Sequence, residues 1–271
     1  MEMFFYGFMQ RAFITGLAMA MITPILGLFL ILRRQSLLAD TLSHVSLVGV
    51  SLGLLLGYNP TFMTLVVVVL AAIVLEVIGK YFKGYSEVTV AILMSGGMAI
   101  ALILMNFQKG RSTISVDQFL FGSIVTITQQ QMWLMIALAV IVVVLYLIFR
   151  RPLYVLSFDE DTAYTAGLPV RLMTQVFTII TGVVISVMMP IAGALLVSAV
   201  IVLPASIAIR LTRSFTGVIV SGILISIFGI FSGLSMSYEF DTPPGATITC
   251  VFLMILVISL FGTMIKNQFK K

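Results

Sequence analysis

An acidic side chain and an imidazole, Asp40 and His44, lie four residues apart in a long apolar part of the chain. Because residues four apart lie on one face of a helix, the pair offers an oxygen and a nitrogen ligand to the same ion. Such donors suit Zn²⁺, and also Mn²⁺ or Fe²⁺ when other ligands are added. Two other interpretations stay open here: a structural hydrogen bond that fastens two helices, and a proton relay. A tight metal site would need further ligands from a second copy of the chain, from water or from backbone groups.

The depth of this pair is unusual, because charged groups in hydrocarbon are costly and mark functional sites. Of the ten acidic residues, only Asp40 and Glu76 lie well inside predicted membrane spans, and His44 is the only histidine. For a helix over 37–57, His44 lies roughly 5 Å and Asp40 roughly 10 Å from the midplane of a hydrocarbon layer about 30 Å thick. Glu76 lies one turn before Lys80 and is interpreted as part of an internal ion pair. The serines and glycines of 37–57 predict a helix that lines an aqueous pathway.

The composition predicts the elements that must position these residues. The chain has 271 residues, of which 61% are hydrophobic and 9% charged, whereas soluble domains carry about 25% charged residues. A membrane span needs about 20 mostly apolar residues. Runs of about that length occupy residues 12–32, 37–57, 61–79, 88–106, 129–149, 170–189, 191–209, 215–236 and 246–265. The sequence therefore predicts an all-α, polytopic membrane protein with about 8–9 transmembrane helices in a single domain over 1–271, with a split at Pro190.

Basic side chains are distributed unevenly between the two sets of loops. With the N-terminus outside, twelve of the fifteen Lys and Arg residues fall in inner loops and three in outer ones. Because inner loops carry the excess of positive charge, this places the loop 150–169 and the C-terminus in the cytoplasm. The basic residues are scattered through short loops, so the net charge of +5 does not indicate nucleic-acid binding.

The sequence also excludes several kinds of chemistry. Its one cysteine, Cys250, rules out an intramolecular disulfide and a multi-cysteine metal site. It contains no Gly-x-x-x-x-Gly-Lys-Ser/Thr phosphate-binding loop and no Ser/His/Asp triad. The chain is therefore expected not to be an enzyme, and any ATP hydrolysis would be performed by a separate subunit.

The loop 150–169 carries helix signals of its own. Ser157 can cap a turn, Asp159 to Asp161 suit a helix N-terminus, and Gly167 suits a helix end. These signals predict a short cytoplasmic helix at about 158–166. The alternative is a plain connector between two spans.

Six stretches spread over nearly the whole chain carry a family resemblance. They are residues 32–50 (around Asp40 and His44), 119–124, 157–168, 193–199, 203–205 and 243–247. In this order they resemble the zinc/manganese/iron ABC permease family, the membrane subunits of ATP-driven metal importers. Residues 39–47 look more like the zinc-type permeases, whereas manganese-type members more often have Gly-Asp-Ala followed by Ser-His-Ala.

The resemblance implies an importer-type permease that works as a dimer in the bacterial cell membrane. Asp40 and His44 match the metal-contacting pair of the family, and 157–168 matches the cytoplasmic coupling segment that docks on the ATPase. The implied coupling residues are Ser157, Phe158, Asp159, Glu160, Ala163, Ala166, Gly167 and Leu168.

The implied partners are a cytoplasmic ABC ATPase dimer, an extracellular solute-binding protein or metal-binding lipoprotein, a second copy of the chain and the lipid bilayer. Zn²⁺ is the expected transported substrate, Mn²⁺ or iron is the alternative, and no permanently bound cofactor is expected. A proton-coupled secondary transporter is the competing class. Such a transporter usually shows two related halves, and no clear internal repeat is present.

Overall fold

The computed structural model describes residues 5–81, 86–107, 122–123 and 127–268, and the side chains of Glu76 and Lys80 lie outside the described set. The described residues form ten helices and no strands. The helices are α1 (Gly7–Leu32), α2 (Leu37–Leu56), α3 (Pro60–Tyr81), α4 (Ser86–Phe107), α5 (Gln129–Phe158), α6 (Glu160–Thr165), α7 (Val170–Ala192), α8 (Ala194–Leu211), α9 (Phe215–Phe240) and α10 (Pro244–Gln268).

The long helices match the predicted apolar runs. Within the described ranges, eight helices are long and apolar enough to cross a membrane, and α3 contributes a shorter apolar stretch, Pro60–Leu75. The predicted all-α, polytopic membrane architecture is therefore confirmed.

Helix α2 lies at the centre of one half of the bundle. It packs against α3, α4, α7 and α8, while α1 packs against α5, α8 and α9. Because α8 contacts both α1 and α2, it joins the two groups of helices into one core.

The split between the sixth and seventh spans lies at Gly193, not at the predicted Pro190. Helix α7 includes Pro190 and ends at Ala192, and Gly193 adopts φ 81° and ψ 154°. Positive φ is accessible to glycine at little cost, whereas a proline can be accommodated in a helix as a kink. The boundary between α7 and α8 therefore lies at Gly193, which has the greater backbone freedom.

Helix α5 runs to Phe158, although the predicted run ends at residue 149. Pro152 removes one backbone hydrogen bond from this helix without ending it. The continuation is held by a small apolar cluster in which Leu156 packs with Ala163 and Val170. This extension brings α5 directly to the start of α6.

Candidate metal pathway

Helix α2 packs closely against neighbouring helices along most of its surface. A Cβ added at Gly49 would lie 2.3 Å from the Cα of Thr64 in α3, so only glycine permits this approach. The buried hydroxyls of Ser43 and Ser46 donate to the backbone oxygens of Ala39 and Ser43, at 2.8 and 2.6 Å. The small and polar residues that predicted an aqueous lining therefore include several that pack against neighbouring helices.

Asp40 and His44 are the two residues between Leu38 and Ser51 of α2 that are not fully buried. His44 Nε2 is 3.7 Å from Asp40 Oδ1, and the side chains are 14% and 36% exposed, respectively. Along the same face Val48 is buried, and exposure returns only at Leu52 and Leu55, which are partly exposed and exposed. The other residues from Leu38 to Ser51 are buried, and α2 contacts four neighbouring helices. The predicted pair is therefore together, at the two partly exposed positions of this part of α2.

The separation of the two donors fits a shared ion better than a hydrogen bond. At 3.7 Å, His44 Nε2 and Asp40 Oδ1 are beyond hydrogen-bonding distance. Two donors at that separation, each about 2.1 Å from one ion, subtend an angle of about 120° there. The separation of the two donors is therefore compatible with one divalent ion contacted by both side chains.

The same geometry argues against tight binding by one chain. A ligating imidazole generally donates its second N–H to a fixed acceptor, but His44 Nδ1 is buried without a hydrogen-bond partner among the described residues. Those residues also hold no group of three or more His, Cys, Asp or Glu side chains that could hold a metal. Beyond these described side chains, further ligands would come from water, from backbone groups or from a second copy of the chain.

The predicted coupling segment, residues 157–168 (called the coupling segment below), contains a short helix close to the predicted position. Helix α6 spans Glu160–Thr165, and its N-cap is Asp159, whose Oδ1 accepts from the N–H groups of Asp161 and Thr162. Ser157, which was expected to cap this turn, lies in α5 and donates to the oxygen of Leu153. The Thr162 hydroxyl and these backbone N–H groups hold the pKa of Asp159 below its ordinary value.

The end of α6 is set by Gly167, as predicted. Gly167 has φ 78°, its N–H donates to Tyr164 O, and Leu168 N–H donates to Ala163 O, which forms a Schellman motif. Ala163 is fully buried and Ser157 is buried, so they position the segment. Of the coupling residues that the resemblance implies, Phe158, Asp159, Glu160, Ala166 and Gly167 are exposed, and Leu168 is partly buried.

One charged residue near both sites was missed by sequence reasoning. Arg33, between α1 and α2, donates from Nη1 to Thr174 Oγ1 at 3.0 Å, and its Nη2 is 3.9 Å from Glu160 Oε1. Burial lowers the pKa of Arg33, and the nearby Glu160 carboxylate opposes this shift. No local signal could reveal these contacts, because the partners lie more than a hundred residues away in the chain.

Comparisons with known proteins agree on one family. The family model described as the ABC 3 transport family matches residues 5–263. A "Probable metal transport system membrane protein" of Treponema pallidum is 31% identical over 94% of this chain and 96% of its own length. The "Manganese transport system membrane protein MntC" of Listeria innocua is 30% identical over 94% of this chain and 90% of its own length.

A solved structure has the same architecture. It is described as "PsaBC from Streptococcus pneumoniae in complex with Fab", and one of its chains superposes with a TM-score of 0.83 at 28% identity. The match covers 94% of this chain and 91% of that chain.

Proposed function

Because the chain belongs to the ABC 3 transport family and is the membrane permease of a metal ABC importer, we propose that Asp40 and His44 contact the metal ion during its passage. The main support is that these two donors lie 3.7 Å apart and are the two residues between Leu38 and Ser51 that are not buried. A carboxylate and an imidazole that are only partly covered by protein at membrane depth need polar surroundings. A passage for a hydrated cation supplies them.

The complete pathway would contain two copies of α2 facing each other across a dimer axis. Two carboxylates and two imidazoles would then surround the ion. Among the described residues, each chain brings two strong ligands to this point, and His44 Nδ1 lacks a fixed acceptor there. Both features favour a transient contact, which transport requires because a site that binds too tightly blocks flux.

The partners follow from the importer architecture. An ATPase dimer would dock on the coupling segment in the cytoplasm, where Phe158 and the neighbouring Tyr164 are exposed. A solute-binding protein would deliver the metal on the opposite side. The chain would lie in the bacterial cell membrane with its C-terminus in the cytoplasm.

Manganese is our first candidate for the transported ion. Two relatives aligned over nearly their whole length are named for manganese transport, and Mn²⁺ accepts carboxylate, imidazole and water ligands. Zinc is the second candidate, because the sequence around Asp40 and His44 resembles the zinc-type permeases. The pair of donors suits either ion.

The test is metal uptake by the complete complex in proteoliposomes. The permease, its ATPase and its binding protein are reconstituted, and uptake of radioactive Mn²⁺ is measured with and without ATP and with competing Zn²⁺. Asp40→Asn and His44→Gln should each strongly reduce uptake while leaving assembly intact. Asp241→Asn is the matched control, because it makes the same chemical change at a left-handed backbone position (φ 48°) that asparagine also tolerates.

Each outcome is decisive. Normal uptake by both pathway variants would remove Asp40 and His44 from the route. Uptake by the permease alone, driven by a proton gradient without ATPase, would replace the importer by a secondary transporter. Excess Zn²⁺ that displaces Mn²⁺ from both the binding protein and the uptake reaction, and that is itself imported, would favour the zinc assignment.

A further inference from the structure

A single guanidinium joins the turn before α2 to the coupling segment. Arg33 follows the last residue of α1, and α2 begins at Leu37. The Arg33 side chain is only 11% exposed, and it contacts Glu160 in α6 and Thr174 in α7. One side chain thus contacts both the coupling segment and the helix that follows it.

These contacts are constrained because the Arg33 charge is largely removed from water. A desolvated guanidinium is unfavourable unless polar partners surround it, so the residue is held to those partners when they move. Thr174 Oγ1, which accepts from Arg33, itself donates to Val170 O at 2.9 Å, which fixes it to the first turn of α7. Glu160 is 63% exposed, so its part of the contact is the weaker one.

The turn between Arg33 and α2 is tight enough to transmit a displacement. Arg34 has φ 55°, its N–H donates to Ile31 O at 3.0 Å, and Gln35 N–H donates to Leu30 O at 2.7 Å. These bonds form a Schellman motif at the end of α1. Leu38 N–H then donates to Gln35 O at 2.9 Å, so the turn is bonded to the first turn of α2.

Apolar packing near this link is incomplete. An apolar cavity of about 250 Å³, open at the surface where Leu172 and Val176 are exposed, lies between α1, α5 and α7, and its lining includes Phe29 and Met173. Phe29 is one turn before Arg33, and Met173 is next to Thr174. The cavity leaves α5 and α7 room to move against α1, so that the polar contacts of Arg33 are well placed to carry the movement.

We propose that Arg33 is the positioning residue through which displacement of the coupling segment moves the start of α2, and with it Asp40 and His44. This inference rests on the proposed function, since it presumes an ATPase that displaces α6 and a metal that passes α2. Arg33 would not touch the metal. It would set how much transport results from each cycle of ATP hydrolysis.

The experiment measures ATP hydrolysis and metal uptake in the same proteoliposomes containing the complete complex. Arg33→Gln removes the charge and keeps a hydrogen-bond donor for Thr174. We expect the ions imported per ATP hydrolysed to fall by about tenfold, a typical coupling between two sites, while copurification and ATP hydrolysis are retained. Glu160→Gln and Thr174→Val should shift the ratio in the same direction by less, and Arg33→Lys should restore part of it.

Arg34→Gln is the matched control, because it makes the same chemical change at the adjacent arginine, which is exposed, without adding a flexible glycine to the turn. It should leave the ratio unchanged. If Arg33→Gln does not assemble, the Glu160 and Thr174 variants provide the same measurement.

An unchanged ratio in the assembled variants would overturn the inference and leave the proposed function standing. Equal losses of hydrolysis and uptake would also overturn it, because they indicate a structural role. If the unmodified complex imports no metal, both proposals fall.

Discussion

Replacing Gly49 by alanine should displace the helix that carries Asp40 and His44. The added Cβ would lie 2.3 Å from Thr64 Cα and 2.9 Å from Thr64 N, both of them backbone atoms of α3. Backbone cannot rotate away as a flexible side chain can. The two helices must therefore separate, and α2 carries the candidate metal pair with it.

The size of the effect follows from these contacts. Ordinary contact begins near 3.4 Å, so the helices must part by about 1 Å, and overpacking of this kind costs about 1–3 kcal/mol. Alanine recovers about 1 kcal/mol of helix propensity. Movement of α3 would also disturb Val68, one turn after Thr64, which packs against Gly182 of α7. We expect a net loss of about 1 kcal/mol, within a range of about 0–2 kcal/mol, which lowers the apparent Tm of a chain this size by about 2–4 °C.

The assay is thermal unfolding of the detergent-solubilised protein, followed by metal uptake after reconstitution. Gly96→Ala in α4 is the control, because a Cβ there meets nothing within 4 Å. That variant should keep or raise the Tm and transport normally. If Gly49→Ala is as stable as Gly96→Ala and imports metal equally well, α2 and α3 do not meet as described, and the positioning of the metal pair has been misjudged.

Three further predictions concern helix ends. Arg34→Gly should raise the apparent Tm by about 2–4 °C, because it relieves a left-handed conformation that costs a non-glycine residue about 1 kcal/mol. Thr128→Ala should lower the apparent Tm by a similar amount, since it removes the capping box formed with Gln131 at the start of α5, and Thr128→Ser should not. Asp159→Ala should reduce copurification of the ATPase more than Asp159→Asn does, because only alanine lacks an acceptor for the α6 N–H groups. Because the pKa of Asp159 is lowered, its carboxylate stabilises α6 fully at every pH above the ordinary carboxyl range. This stabilisation is lost only as the pH falls through the lowered pKa. ATPase binding should therefore not vary through this group between about pH 5 and pH 8 when measured by pull-down.

The positions of the spans could be predicted from the sequence because each is a nearly continuous apolar run. The pairing of Asp40 with His44 was equally accessible, since it depends only on the helical repeat. Both features are local in the chain, and local patterns survive folding when the surroundings are uniformly apolar.

Features that depend on distant contacts could not be predicted. The extension of α5 past Pro152 depends on packing of Leu156 with residues of α6 and α7, and the partners of Arg33 lie in those same elements. When loop charges are counted to assign membrane topology, Arg33 is treated as a solvated residue of an inner loop. In the folded chain it is largely buried, and only the structure reveals that difference.

The isolated position of His44 has a spectroscopic consequence. Because the chain contains no other histidine, every imidazole nitrogen resonance from the ¹⁵N-labelled permease originates at this one residue. The electron spin echo of a bound Mn²⁺ ion would be modulated by this imidazole nitrogen, so the signal would need no assignment. The depth of the modulation would show whether one or two permease chains contribute a nitrogen. Labelling a single ring position would distinguish Nε2, which faces Asp40, from the buried Nδ1.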